Sequence, residues 1–152
     1  MTEPLELGRV TDQRPPFRYS AVTRVWFSDT DAQGVVYYGR YLPYFDHART
    51  EYHRHLGSMG IEGAEFVMRA SSVDYLAPAR FDDLLECFVR VSRIGRSSMT
   101  YEFAAYRVED ELLMVTATQT LVLVGRAERR PEAVPEAVRE RLRGFEGEDL
   151  EA

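Results

Sequence analysis

The stretch Asp29-Thr30-Asp31-Ala32-Gln33-Gly34-Val35-Val36-Tyr37-Tyr38-Gly39-Arg40-Tyr41 separates a strand-like run from a helix-like run. Upstream, residues 19–28 form an extended apolar run that includes Val22 and Trp26. Downstream, Phe45, Ala48, Tyr52 and Leu56 recur at helical spacing, which predicts a helix over 41–56 with Pro43 in its first turn and Gly57 at its end. Two carboxylates and a flexible glycine thus precede a helix N-terminus, where unpaired N–H groups make the local field positive.

Four long strands are expected beyond the helix, near 65–77, 83–94, 98–109 and 111–125. Leu85, Cys87, Val89 and Val91 alternate with Glu86, Arg90 and Ser92, and Met99, Tyr101, Phe103 and Ala105 repeat the period. Short turns at Ile94-Gly95-Arg96-Ser97 and Glu109-Asp110 make antiparallel hairpins. The order strand, helix, four strands implies an α+β layer, with one helix packed on one sheet face. The opposite face carries apolar residues that a partner subunit would cover. Residues 1–18 read as a loose arm, and Val134, Val138 and Leu142 as a short final helix begun by Pro135. The tail after Gly144 is expected to fray.

The chain of 152 residues fits one domain. A formal net charge of −6 argues against a nucleic-acid partner. All 19 basic side chains are Arg. The missing Lys excludes Schiff-base chemistry and the Gly-Lys-Ser/Thr phosphate loop. The absence of Asn removes any glycosylation sequon. The lone Cys87 cannot pair internally and reads as a small buried hydrophobe. No apolar leader opens the chain, and Leu112 to Val124 is too short and polar for a membrane span, so a cytoplasmic location is expected.

In the acidic loop, Gly34 suits a turn that opens room for a ligand. A backbone N–H near Val36 to Tyr38 can face a developing oxyanion, with Asp31 on the other side of the same carbonyl. A carboxylate is adequate to attack an activated acyl group or to activate water. The competing reading makes Asp29 or Asp31 a helix cap or turn former. An Asp-x-Asp metal site is short of oxygen ligands. His47, His53 and His55 are offset by six and two, which does not bring ligands to one helix face. Gly57-Ser58-Met59-Gly60 is one residue short of a serine-hydrolase elbow.

Residues 29–38 resemble the signature of the 4-hydroxybenzoyl-CoA thioesterase-like family of hot-dog-fold proteins. Tyr41 to Glu51 is similar to its central helix, and Val73 to Asp83 to a strand-to-turn segment. The nearest subgroup is the one found with the bacterial Tol–Pal envelope system. The resemblance spans roughly 19–127, leaving 1–18 as an arm and 128–152 as a short helix and tail. It implies a long antiparallel sheet wrapped around one helix, paired into homodimers or homotetramers with sites at the dimer interface. The implied reaction is hydrolysis of an acyl-CoA, with acyl carrier protein as an alternative carrier and no separate cofactor.

By the same resemblance Asp31 is the catalytic carboxylate, Tyr38 supplies the polarising N–H, and Gly34 makes the turn. Val36 and Tyr37 line the substrate, while Asp29 has a positional role. Arg96, Ser97 and Ser98 resemble a turn that meets coenzyme A phosphates, although Gly95 stands where some relatives are basic. Glu51, on the helix, is read as an ion-pair partner of a neighbouring Arg, and the tyrosines at 37, 38, 41 and 44 mostly as packing. The rival readings are an acyl-CoA or acyl-carrier-protein binding module without turnover, and a 3-hydroxyacyl dehydratase, which lacks its loop His.

Overall fold

Six antiparallel strands pair in the order β1-β2-β4-β5-β6-β3. They are β1 (Gly8–Val10), β2 (Tyr19–Arg24), β3 (Ala64–Tyr75), β4 (Leu84–Ile94), β5 (Ser98–Arg107) and β6 (Leu112–Gly125). Two helices, α1 (Tyr41–Leu56) and α2 (Glu136–Glu146), complete this computed structural model, which describes residues 5–57 and 60–152. Ser58 and Met59 of the elbow-like motif lie outside the described residues.

Helix α1 forms where its apolar spacing directs it. Tyr41, Tyr44, Phe45, Ala48 and Tyr52 fall on one face and are buried against the sheet. Gly57 ends the helix with φ 78°, its N–H returning to the Arg54 and His53 carbonyls. The alternating β4 residues Leu85, Cys87, Val89 and Val91 meet that face, each at most 1% exposed. The fold is the hot-dog arrangement, an antiparallel sheet around a central helix.

Differences from the sequence expectations come from long-range pairing. The first strand stops at Arg24, and Trp26 is 66% exposed instead of continuing the apolar run. Residues 5–18 are not loose. β1 pairs with β2, and the Glu86 carboxylate accepts bonds from Ser20 Oγ at 2.6 Å and Arg9 at 3.0 Å. The chain itself covers part of the outer sheet face. Phe17 packs on Phe88, and the Arg14 guanidinium lies 3.6 Å from the Tyr106 ring centre.

The tail is docked as well, because Glu151 exchanges backbone bonds with Ser92 and Ile94 of β4. Glu146 is fully buried, accepting bonds from the Tyr52 hydroxyl at 2.6 Å and the Val91 N–H at 3.1 Å. Burial raises its carboxyl above the ordinary range, although those two bonds pull the other way.

Candidate active site

The acidic loop is held at the end of the sheet where β4 begins. The Val25 N–H donates to the Asp83 carbonyl at 2.9 Å, and the Val36 N–H to the Ala79 carbonyl at 2.8 Å. Within the loop the Asp31 N–H meets the Val35 carbonyl, and the Gly34 N–H meets the Asp31 carbonyl. This reversal needs φ +79° at Gly34, a left-handed conformation in which a side chain is strained.

The two acids have opposite environments. Asp29 is 4% exposed and accepts bonds from the Trp26 N–H, the Tyr44 hydroxyl and the Arg40 guanidinium. Burial alone would raise its carboxyl, but these donors outweigh burial and hold it below the usual aspartate value. Asp29 is therefore a bracket between loop and helix. Asp31 is exposed, and its Oδ1 accepts one bond, from the Gln33 N–H at 2.8 Å. That bond closes an Asx turn, as the capping alternative required, and leaves Oδ2 unbonded among the described residues.

Between loop and helix lies a feature that periodicity did not signal, a 3-10 turn over Tyr38–Arg40 that runs directly into α1. The Tyr37 N–H is engaged by the Asp29 carbonyl and the Arg40 N–H by the Tyr37 carbonyl. The Tyr38 and Gly39 N–H groups between them have no acceptor among the described residues. The Tyr38 side chain is 66% exposed and that of Tyr37 57%, so the packing reading holds for Tyr41 and Tyr44 and fails for these two.

Beside this turn is a cavity of about 330 Å3 whose wall includes Gln33, Val36, Tyr38, Tyr41 and Tyr75. Asp31 and Gly34 stand outside the wall, joined to it through Gln33. Tyr75 is a site residue that the sequence reading overlooked. It belongs to the segment Val73 to Asp83, but nothing in a strand's alternation says that its ring meets Tyr38 and Tyr41, with centres 5.0 and 5.6 Å apart. Tyr41, buried beneath, accepts the Ala79 N–H at 3.2 Å, and burial raises its phenol.

Arg96, Ser97 and Ser98 are not brought to this loop. They occupy the β4–β5 hairpin, at the far end of β4 and about 30 Å along the strand from its start. That hairpin is pinned from α2, since Arg139 Nη2 donates to the Gly95 and Arg96 carbonyls at 2.6 and 3.0 Å. Glu51 is paired, as expected, with Arg54 at 3.5 Å, and it also accepts the Leu7 N–H. His53 lies at the other end of α1, its Nε2 2.5 Å from the Tyr101 hydroxyl, beside a smaller cavity of about 150 Å3.

Comparison with known proteins identifies the family of the chain. Residues 33–114 match the family model described as the thioesterase superfamily. The chain belongs to the thioesterase superfamily. It is 34% identical over 119 residues to the Escherichia coli O6:H1 protein named acyl-CoA thioester hydrolase YbgC, covering 76% of this chain and 88% of that one. A probable thioesterase from Bartonella henselae superposes with TM-score 0.71 at 31% identity, over 76% of this chain and 98% of the other. A thioesterase-superfamily structure from Jannaschia sp. CCS1 gives TM-score 0.80 at 25% identity, over 88% and 86%. This thioesterase-superfamily member is an enzyme, a thioester hydrolase, and the candidate loop lies at the edge of the matched segment.

Proposed function

We propose that the protein hydrolyses acyl-CoA thioesters, with Asp31 as nucleophile or general base and the Tyr38 N–H polarising the carbonyl. One observation carries the reading: an exposed carboxylate with a free oxygen precedes, in one loop, a turn that presents unbonded N–H groups beside a cavity. The relatives named as acyl-CoA thioester hydrolases support the substrate class.

As nucleophile, Asp31 adds to the thioester carbon and expels coenzyme A thiolate, leaving an anhydride that water opens. As base, it takes a proton from water, whose oxygen adds to the carbon, and the proton leaves with the thiol. In either course negative charge grows on the carbonyl oxygen, which fixed N–H donors stabilise more than they do the ground state. Gly34 sets the turn, and Val36, in the cavity wall, stands beside the acyl group, whereas Tyr37 lies outside that wall. No further cofactor is required.

The Arg96–Ser98 turn is too distant to meet coenzyme A phosphates bound at the Asp31 of its own chain. We therefore assign it to the site of a second copy, in a homodimer or homotetramer. The outer edge of the twelve-residue β3 has no strand partner among the described residues, which suits such pairing. The finer placement in the Tol–Pal-associated subgroup, and a cytoplasmic location, belong to the same proposal. Among the described residues no helix is long and apolar enough to cross a membrane.

The test is thiol release from acetyl-, hexanoyl-, palmitoyl- and benzoyl-CoA, with sedimentation velocity for the assembly. Release from at least one of them is expected. Binding without release would favour the non-catalytic acyl-CoA or acyl-carrier-protein module, and a monomer at assay concentration would remove the role given to Arg96.

A further inference from the structure

We propose that Tyr75 is a positioning residue for the hydrolysis, acting through the Tyr38–Gly39 peptide to fix and strengthen a second oxyanion donor, the Gly39 N–H. This inference rests on the reading of the Tyr38 turn as the site of carbonyl polarisation.

The Tyr75 hydroxyl donates to the Tyr38 carbonyl at 3.1 Å. The same carbonyl accepts the Tyr41 N–H that closes the 3-10 turn. At the other end of that peptide unit is the Gly39 N–H, which has no acceptor among the described residues. A peptide whose oxygen accepts hydrogen bonds is more polarised, and its N–H becomes a better donor by about 10–30% per bond. Two bonds on the oxygen also fix the plane of the peptide, so its N–H does not reorient as charge develops.

The preceding peptide has the same design with one bond fewer. Its Tyr37 carbonyl is held by the Arg40 N–H at 2.9 Å, and its own N–H, that of Tyr38, is unbonded. Tyr75 thus adds to Gly39 a support that Tyr38 lacks.

Position makes this more than a chance contact. Tyr75 ends β3, a strand far from the loop in sequence, and its ring is seated between those of Tyr38 and Tyr41. It lines the cavity, yet at 45% exposed it contributes little to the core. The hydroxyl is what reaches the donor peptide.

The experiment compares wild type with Tyr75→Phe on whichever of the four acyl-CoA probes wild type cleaves fastest, and records the Gly39 amide resonance of each. Expected are a kcat lower by about tenfold with KM within about twofold, an unchanged melting midpoint, and an upfield move of the Gly39 amide proton without one at Tyr37. Full kcat in Tyr75→Phe, a loss confined to KM, an unmoved Gly39 resonance or failure to fold would each overturn the proposal. Wild type inactive on all four probes would instead bring down the underlying reading.

Discussion

The Asp29 carboxylate and the Tyr44 hydroxyl are joined by a 2.7 Å hydrogen bond that ties the acidic loop to the first turns of α1. Both groups are buried, so the bond acts where water does not compete. Tyr44→Phe is expected to cost roughly 1.5–3 kcal/mol at pH 7, the range for a hydrogen bond to a charged group, as read by urea denaturation. The Asp29 carboxyl is held below its ordinary value of 3.8, so its contribution is present above that pH and is lost as pH falls through the lower folded-state value. The difference between the two proteins should accordingly shrink in acid.

Gly34 is required for its backbone, since a Cβ there would meet nothing within 4 Å. Gly34→Ala should therefore cost about 1 kcal/mol through its left-handed φ alone. It should lower turnover by more than that stability loss implies, because the strain lies in the turn that carries Asp31. Gly34→Asn, which tolerates this conformation, should restore much of the activity in a thiol-release assay.

His53 sets the stability of the helix's other end in mild acid. Burial, with Arg49 nearby, lowers its pKa from 6.5 to about 4. Below pH 6.5 the unfolded chain takes up a proton that the folded chain refuses, so stability falls as pH drops from 6.5 toward 4. At about 1.4 kcal/mol per pH unit this amounts to as much as roughly 3 kcal/mol. Thermal melts between those limits should show the decline in wild type and a flatter profile in His53→Gln.

Cys87 is 1% exposed, and burial pushes its thiol well above the ordinary range. Native protein should resist iodoacetamide at neutral pH and react once unfolded. Cys87→Ala should keep thioesterase turnover at the cost of about 1 kcal/mol.

How far these features are legible in the sequence depends on the range over which they are encoded. Helix α1 and the four long strands are local signals, and they were read to within about two residues because period and Gly57 specify them directly. Docking of the arm and tail depends on Glu86 finding Arg9 and on β4 finding Glu151, pairings that no local pattern announces. The family motif implies different roles for Asp29 and Asp31, and the structure shows that the two differ in burial, the first enclosed and the second exposed. The 3-10 turn at Tyr38 and the reach of Tyr75 from β3 are tertiary facts. So is the separation of Arg96 from Asp31, because a motif inventory carries no distances.

If Asp31 performs the chemistry, its loss is read in thiol release by Asp31→Asn against wild type at saturating acyl-CoA. Asn keeps an oxygen for the Gln33 N–H, and the side chain is exposed, so the fold and circular dichroism spectrum should be unchanged. A fall in kcat of at least about 10²-fold is expected. A folded Asp31→Asn variant with near-normal kcat would rule out Asp31 as nucleophile or base.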